Sequence, residues 1–320
     1  MVAVSLMIEG QYGLTWPYWQ RLVADVEPLG FAGLFRSDHY TNASPPDLAS
    51  LETIVSLTYA ADHTSRVHFG PLVVPFSFRE PTMLARQAAA LDDLSGGRMI
   101  LGLGAGWQDR EHTLFGHELG DIPTRMARFE EGLEVVTRLL RSDEPATYEG
   151  RFYHLRGATL LPRPQRPGGP RILIGGNGQQ RTLPLAARYA DVWNGTFIPP
   201  EQFRERNRRL DDLLDQAGRP RGAVRRTLMT NLTFGRDAAG LERKLAPRRQ
   251  QPMFAGKSAE DIAKAIWTER GFITGTPQQV IGQIRVFADA GVEELMLQWL
   301  DLDDLDGLRA FATTVLPHVA

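Results

Sequence analysis

Asp38 and His39, adjacent in Arg36-Ser37-Asp38-His39, are the two residues best suited to moving a proton. An imidazole titrates near neutrality, and a neighbouring carboxylate can fix its tautomer. The same dipeptide serves equally often as a loop cap and a ring packed on a rim. A second candidate is Gly175-Gly176-Asn177-Gly178-Gln179, which precedes a helical segment. Free backbone N–H groups at a helix start suit a phosphate, although a plain β–α turn has the same composition. The third is Gly102-Leu103-Gly104-Ala105-Gly106-Trp107. Glycine at every second position leaves a strand bare, so another backbone or a flat ligand must lie close to it. The spacing is G-x-G-x-G and the following segment is polar, which does not fit the G-x-G-x-x-G of a dinucleotide site. Glu111 and Arg125 are placed to form a structural ion pair closing that loop. Arg243, Lys244, Arg248 and Arg249 form a basic patch of the kind that is usually a solvated face.

The missing groups narrow the chemistry further. Without cysteine there is no disulfide, no thiolate nucleophile and no Cys-ligated zinc or iron–sulfur site. No His/Asp/Glu cluster has metal-ligand spacing, and neither a G-x-S-x-G elbow nor a nearby pair of catalytic carboxylates is present. Residues of glycine, amide and apolar type suit an organic cofactor that brings its own reactivity. Net charge is −2, with 42% apolar and 23% charged residues among 320, which gives no reason to expect nucleic acid or an anionic membrane as partner. No apolar run approaches the roughly 18–20 residues of a membrane span. Residues 1–9 read as a first strand and not as a signal peptide, so a cytoplasmic location is expected.

The elements that must position these groups alternate strictly. Strand signals fall at residues 2–8, 31–35, 67–74, the glycine-rich stretch itself, 171–174, 190–194, 226–234 and 294–299. Helical periodicity follows each one, strongest at residues 125–141 and at the Thr276-Pro277-Gln278-Gln279 capping box. Two insertions interrupt the pattern, at about 144–170 and 235–275, the second with a helix near 259–267. Eight regular units without a phosphate fingerprint favour a closed parallel (β/α)8 TIM barrel, residues 1–320 as a single domain, over a doubly wound sheet. The site of such a barrel lies just after each strand, at Gln11, Ser37-Asp38-His39, Val73-Val74, Gly104 to Glu111, Gly175 to Gln180, Asn194 and Gln298.

With these residues placed, the chain resembles the bacterial luciferase-like monooxygenase family, in its branch using coenzyme F420, a 5-deazaflavin. The resemblance is carried by Gly70-Pro71-Leu72-Val73-Val74-Pro75, Arg79-Glu80-Pro81, Leu91 to Arg98, Gly102 to Trp107 and Glu111. Ser37-Asp38-His39, Tyr148 to Tyr153 and the Gly275-Thr276-Pro277 helix start also fit. It implies a barrel, a homodimer, and a ring at the C-terminal face with Asp38 and His39 meeting the ring or a small organic substrate. Leu72, Val73 and Val74 would be a bulged strand end that buttresses the ring through a non-prolyl cis peptide at Leu72–Val73. Gly104, Ala105, Gly106 and Arg110 would line the ring and its side chain, and Gly175, Gly176, Asn177, Gly178 and Gln179 the phosphate. His39, aided by Asp38, would manage the proton of a hydride transfer. The expected activity is F420-dependent oxidation or reduction. The alternatives are an FMN-dependent monooxygenase served by a separate reductase, and a flavin-binding protein without chemistry. Glucose-6-phosphate dehydrogenases of this family carry Glu where this chain has Trp107, and a Trp shortly after Asp-His where it has Tyr40-Thr41-Asn42-Ala43. Sugar oxidation is therefore not expected.

Overall fold

The computed structural model describes residues 2–319 and contains twelve strands and eleven α-helices. In chain order these are β1 (Ala3–Ile8), α1 (Trp16–Val26), β2 (Gly33–Arg36), α2 (Thr53–His63), β3 (His68–Pro71), β4 (Val74–Pro75), α3 (Pro81–Leu94), β5 (Ile100–Gly104), α4 (Asp109–Phe115) and α5 (Ile122–Arg141). Then come β6 (Ala146–Glu149), β7 (His154–Ala158), β8 (Arg171–Gly175), α6 (Thr182–Tyr189), β9 (Val192–Thr196), α7 (Pro200–Gln216) and β10 (Arg225–Phe234). The chain ends with α8 (Ala238–Leu245), α9 (Ala259–Arg270), β11 (Ile273–Gly275), α10 (Pro277–Asp289), β12 (Glu294–Gln298) and α11 (Leu305–Thr314).

Parallel pairing runs in the order β3-β2-β1-β12-β10-β9-β8-β5-β4. Because β3 and β4 are two pieces of one strand, the order returns on itself and the barrel closes, with a bridge between Phe69 and Met99 completing the seam. The expected eight-unit barrel is therefore present, but its third strand is broken where 67–74 reads as continuous. Leu72–Val73, which lies in the break, is a cis peptide, as the resemblance implied. Two segments interrupt the alternation of barrel strands and helices. The first holds the antiparallel hairpin β6–β7. The second holds α8, α9 and β11, which pairs with the outer end of β10. No helix of the described residues is long and apolar enough to cross a membrane.

Side-chain alternation along the strands builds the interior in layers, since residues i and i+2 share a face. Midway up, Met7, Phe35, Leu72, Ile100, Leu173, Val192, Met229 and Met296 form one buried cluster, one residue from each of the eight barrel staves. Two residues below lie Ser5 and Glu294, and Arg225 lies four below Met229: the Ser5 hydroxyl donates to Glu294, and Arg225 pairs with the same carboxylate at 3.1 Å. Two residues above come Glu9, Ser37, Gly175, Asn194, Asn231 and Gln298, which open into a cavity. The opposite faces of the strands pack on the helices in a single large apolar cluster.

Candidate active site

The cavity at the C-terminal ends of the strands encloses about 800 Å³. Its walls differ in kind. Staves three to five contribute Leu72, Val73, Pro75, Gly104, Ala105, Gly106, Gly175 and Gly176. Across from them, staves six to eight and their loops contribute Phe197, Met229, Phe272, Arg248 and Leu300. Glu9, Gln11, Ser37, Asn194, Asn231 and Gln298 also face the cavity, with His39 and Trp107 at its edge.

The glycines of β5 are bare for a more specific reason than a flat ligand alone. A Cβ at Gly102 would collide with the Pro71 carbonyl, and one at Gly104 would sit 2.6 Å from the Val73 side chain. Gly175 on β8 makes room for the same side chain, whose Cγ1 would lie 3.1 Å from an added Cβ. The broken third strand thus leans into β5 and β8, and its bulge at Leu72–Val73 faces the cavity. Gly106 adopts φ 83°, a left-handed conformation that favours glycine, and turns the chain toward Trp107.

His39 is held by a residue 72 positions away. Its Nδ1 donates to Glu111 at 2.9 Å, and the backbone N–H of Tyr40 donates to the same carboxylate at 3.1 Å. Glu111 is almost completely buried, and α4 brings it under the ring. Burial, the largest single influence, pushes the imidazole pKa down. The hydrogen bond and charge of Glu111 outweigh it with help from Glu9 and Asp38, so the net shift is upward. Among the described residues Nε2 has no hydrogen-bond partner, and His39 lines the cavity. Trp107, 59% exposed, meets the imidazole edge-on with centroids 5.6 Å apart.

Several expected roles are not supported by this geometry. Asp38 does not orient His39: its carboxylate accepts two hydrogen bonds from Arg79, at 2.9 and 2.7 Å, and it is not among the cavity-lining residues. Arg110 does not line the cavity either. It binds Asp47 at 2.7 Å and the Asn42 carbonyl at 2.8 Å, and its hydrogen bond holds the Asp47 carboxyl at about 2. The expected Glu111–Arg125 pair is replaced by Glu111–His39. Val74 lies buried behind the bulge in the helix-facing cluster. Of the phosphate candidates, Gly175 and Gly176 reach the cavity and Asn177, Gly178 and Gln179 lie beyond it. The Asn177 side chain ties its loop to the Thr196 backbone through bonds of 2.7 and 3.0 Å, and Gln179 donates to Glu205 at 3.0 Å. The backbone N–H groups of Asn177, Gly178 and Gln179 have no acceptor among the described residues.

The basic patch is dispersed. Lys244 pairs with Asp304 at 2.5 Å and Arg249 pairs with Glu242, whereas Arg248 turns to the cavity. Sequence reasoning also missed Glu9, whose carboxylate accepts from the Gln11 and Gln298 side-chain amides. The aromatic wall was missed too. Phe197 follows β9 at φ 52°, the sole non-glycine residue in that region among those described, and its ring meets Phe272 edge-on at 5.3 Å. A β9 strand whose next residue is aromatic was the one available signal for it.

A closed parallel barrel whose cavity has one bare wall and a histidine at its edge suits an organic cofactor of the flavin or deazaflavin type. The sequence profile described as Luciferase-like monooxygenase matches residues 4–294. The chain belongs to that family. It is 27% identical over 312 residues to an F420-dependent glucose-6-phosphate dehydrogenase of Kineococcus radiotolerans, covering 91% of this chain and 89% of that one. Among solved structures, an F420-dependent secondary alcohol dehydrogenase in complex with an F420–acetone adduct superposes with TM-score 0.83 at 20% identity, covering 100% of this chain and 99% of that one. A monooxygenase from Streptomyces bottropensis superposes with TM-score 0.82 at 25% identity, covering 100% of both chains.

Proposed function

We propose that this protein is an F420-dependent oxidoreductase acting on a small organic molecule. The carrying observation is the His39–Glu111 pair, with Nε2 free, at the edge of a cavity whose far wall is nearly bare backbone. The bulge at Leu72–Val73 fits a planar ring, because Gly104 and Gly175 let Val73 stand against that wall without filling the cavity. Bound there, a deazaflavin supplies hydride exchange with the substrate and little oxygen chemistry. His39 delivers the accompanying proton from Nε2 when the substrate is reduced and accepts it when the substrate is oxidised. Glu111 keeps the imidazole protonated to higher pH and fixes Nδ1 as the donor to itself. The free N–H groups of Asn177, Gly178 and Gln179 would hold the cofactor's phosphate. Trp107 meets the His39 ring edge-on and leaves no acid at the position where sugar-oxidising relatives carry one. A sugar phosphate is therefore not the substrate we propose. The F420 names of the dehydrogenase relatives support the choice of cofactor.

The 25%-identical monooxygenase favours the second reading, an FMN-dependent oxygenase fed by a separate reductase. Anaerobic assays of reduced F420 against a panel of enones, imines and ketones separate the two. Turnover without oxygen is expected. Activity confined to FMN, a reductase and oxygen would replace the proposal with the second reading, and F420 binding with no turnover on any member would remove the catalytic role.

A further inference from the structure

Arg248 is the only arginine or lysine among the described residues that line the cavity, and none of them answers its charge. Its neighbours differ: Lys244 and Arg249 each have a carboxylate partner. The Arg248 side chain makes no ion pair or hydrogen bond to the described residues, and its carbonyl accepts from Gln251 N–H at 3.0 Å. It is nevertheless half-buried. Burial lowers its pKa with no opposing charge recorded. A partly desolvated guanidinium carries five donors in a rigid fork, and leaving them unmatched is unfavourable. The turn that presents it, residues 246–250, is flanked by Leu245 and Phe254, which are buried in one apolar cluster with Ile262 and Ile266.

Position in the barrel says what kind of molecule would meet it. The bare wall belongs to staves three to five, whereas Arg248 follows stave seven and shares its side of the cavity with Phe197, Phe272 and Leu300. Glu9, the other charged group near this side, is already engaged by two amides. We propose that Arg248 binds the carboxylate of the substrate, so that the substrate is an amphipathic organic acid. Its apolar or aromatic body lies on Phe197, Phe272 and Leu300, and its reacting carbon faces His39 and the bare wall. A planar guanidinium takes a carboxylate through two parallel hydrogen bonds, a geometry lysine cannot reproduce. The placement of the reacting carbon rests on the oxidoreductase reading above. The acid site itself does not.

The test is calorimetric titration with 3-phenylpropionate and its uncharged amide, on F420-loaded and on cofactor-free protein. Both are titrated into the wild type and the Arg248→Met, Arg248→Lys and Arg249→Met variants. Hydrogen bonds to a charged group predict that the acid binds about 10- to 100-fold more tightly than the amide. That preference should vanish in Arg248→Met, survive in part in Arg248→Lys and persist in Arg249→Met, with F420 affinity unchanged throughout. Equal binding of acid and amide to the wild type would overturn the proposal, as would a preference that survives in Arg248→Met. Loss of F420 affinity in Arg248→Met without loss of the acid preference would assign the residue to the cofactor instead and also overturn it. An acid preference that depends on Arg248 in protein unable to bind F420 would support the acid site while rejecting the F420 reading.

Discussion

The two nitrogens of His39 have different surroundings: Nδ1 is tied to Glu111 at 2.9 Å, and Nε2 has no partner among the described residues. Replacing the ring by Asn should cut turnover about 100-fold while leaving F420 affinity within a few-fold, measured by steady-state kinetics beside a binding titration. Unchanged turnover would remove the proton role. Glu111→Gln should act through the pKa. With the raising influence gone, burial pushes the imidazole down, so the pH at which reduction falls off on the alkaline side should move to lower pH. The same linkage affects stability. A raised folded pKa means that the His39–Glu111 contribution is complete below about 6.5 and is lost as pH rises through the folded value. Melting curves of wild type and Glu111→Gln should therefore differ most on the acidic side and converge on the alkaline side. Of this arrangement His39 and Glu111 were each legible in the sequence, as residues that follow barrel strands, but their pairing was not. Asp38 was the natural partner by adjacency, but successive side chains of an extended segment point to opposite sides. Asp38 accordingly meets Arg79, and the true partner arrives from another stave.

Among the elements, the glycine-rich β5 shows how spacing can be read correctly for an incomplete reason. Alternate glycines did mark close approach, yet the nearest group is protein: the Pro71 carbonyl at Gly102 and Val73 at Gly104. Gly102→Ala must push the third stave away, and overpacking of this kind costs about 1–3 kcal/mol. Its calorimetric melting temperature should fall, and because the bulge moves with Pro71, cofactor affinity should fall with it. A variant with wild-type melting and affinity would contradict the contact. The break in the third stave was hidden because 67–74 has continuous strand character, and only Pro71 and Pro75 hinted at an interruption. Helix α8 was overlooked because Leu241 and Leu245 are its only buried positions, although Asp237 caps it by accepting from the Gly240 N–H at 2.7 Å. Sequence periodicity is faintest in such short, half-buried segments, and there the cavity's aromatic and cationic wall is built.

In the whole molecule, stability and chemistry are separated along the barrel axis. The apolar octet from Met7 to Met296 divides a lower layer, Ser5, Arg225 and Glu294, from the upper cavity. Glu294 is 1% exposed, and Glu294→Ala leaves Arg225 and Ser5 without their acceptor, a loss of about 1–3 kcal/mol. The urea midpoint should drop while turnover and F420 affinity stay at wild-type values, since active sites of such barrels lie at the opposite face. Loss of affinity in step with stability would show that the two ends are coupled. The barrel itself was the most legible feature, because eight strand–helix units repeat with apolar periodicity and local pattern suffices to count them. The cavity lining was less so, since it depends on which loop folds over which stave. The homodimer implied by the family resemblance belongs to the same reading and is checked by light scattering. The central claim is the identity of the cofactor, and competitive fluorescence titration of the purified protein with F420 and FMN tests it most directly. Saturable, one-to-one binding of F420 with a clear preference over FMN is the expected result, and a clear preference for FMN would contradict it.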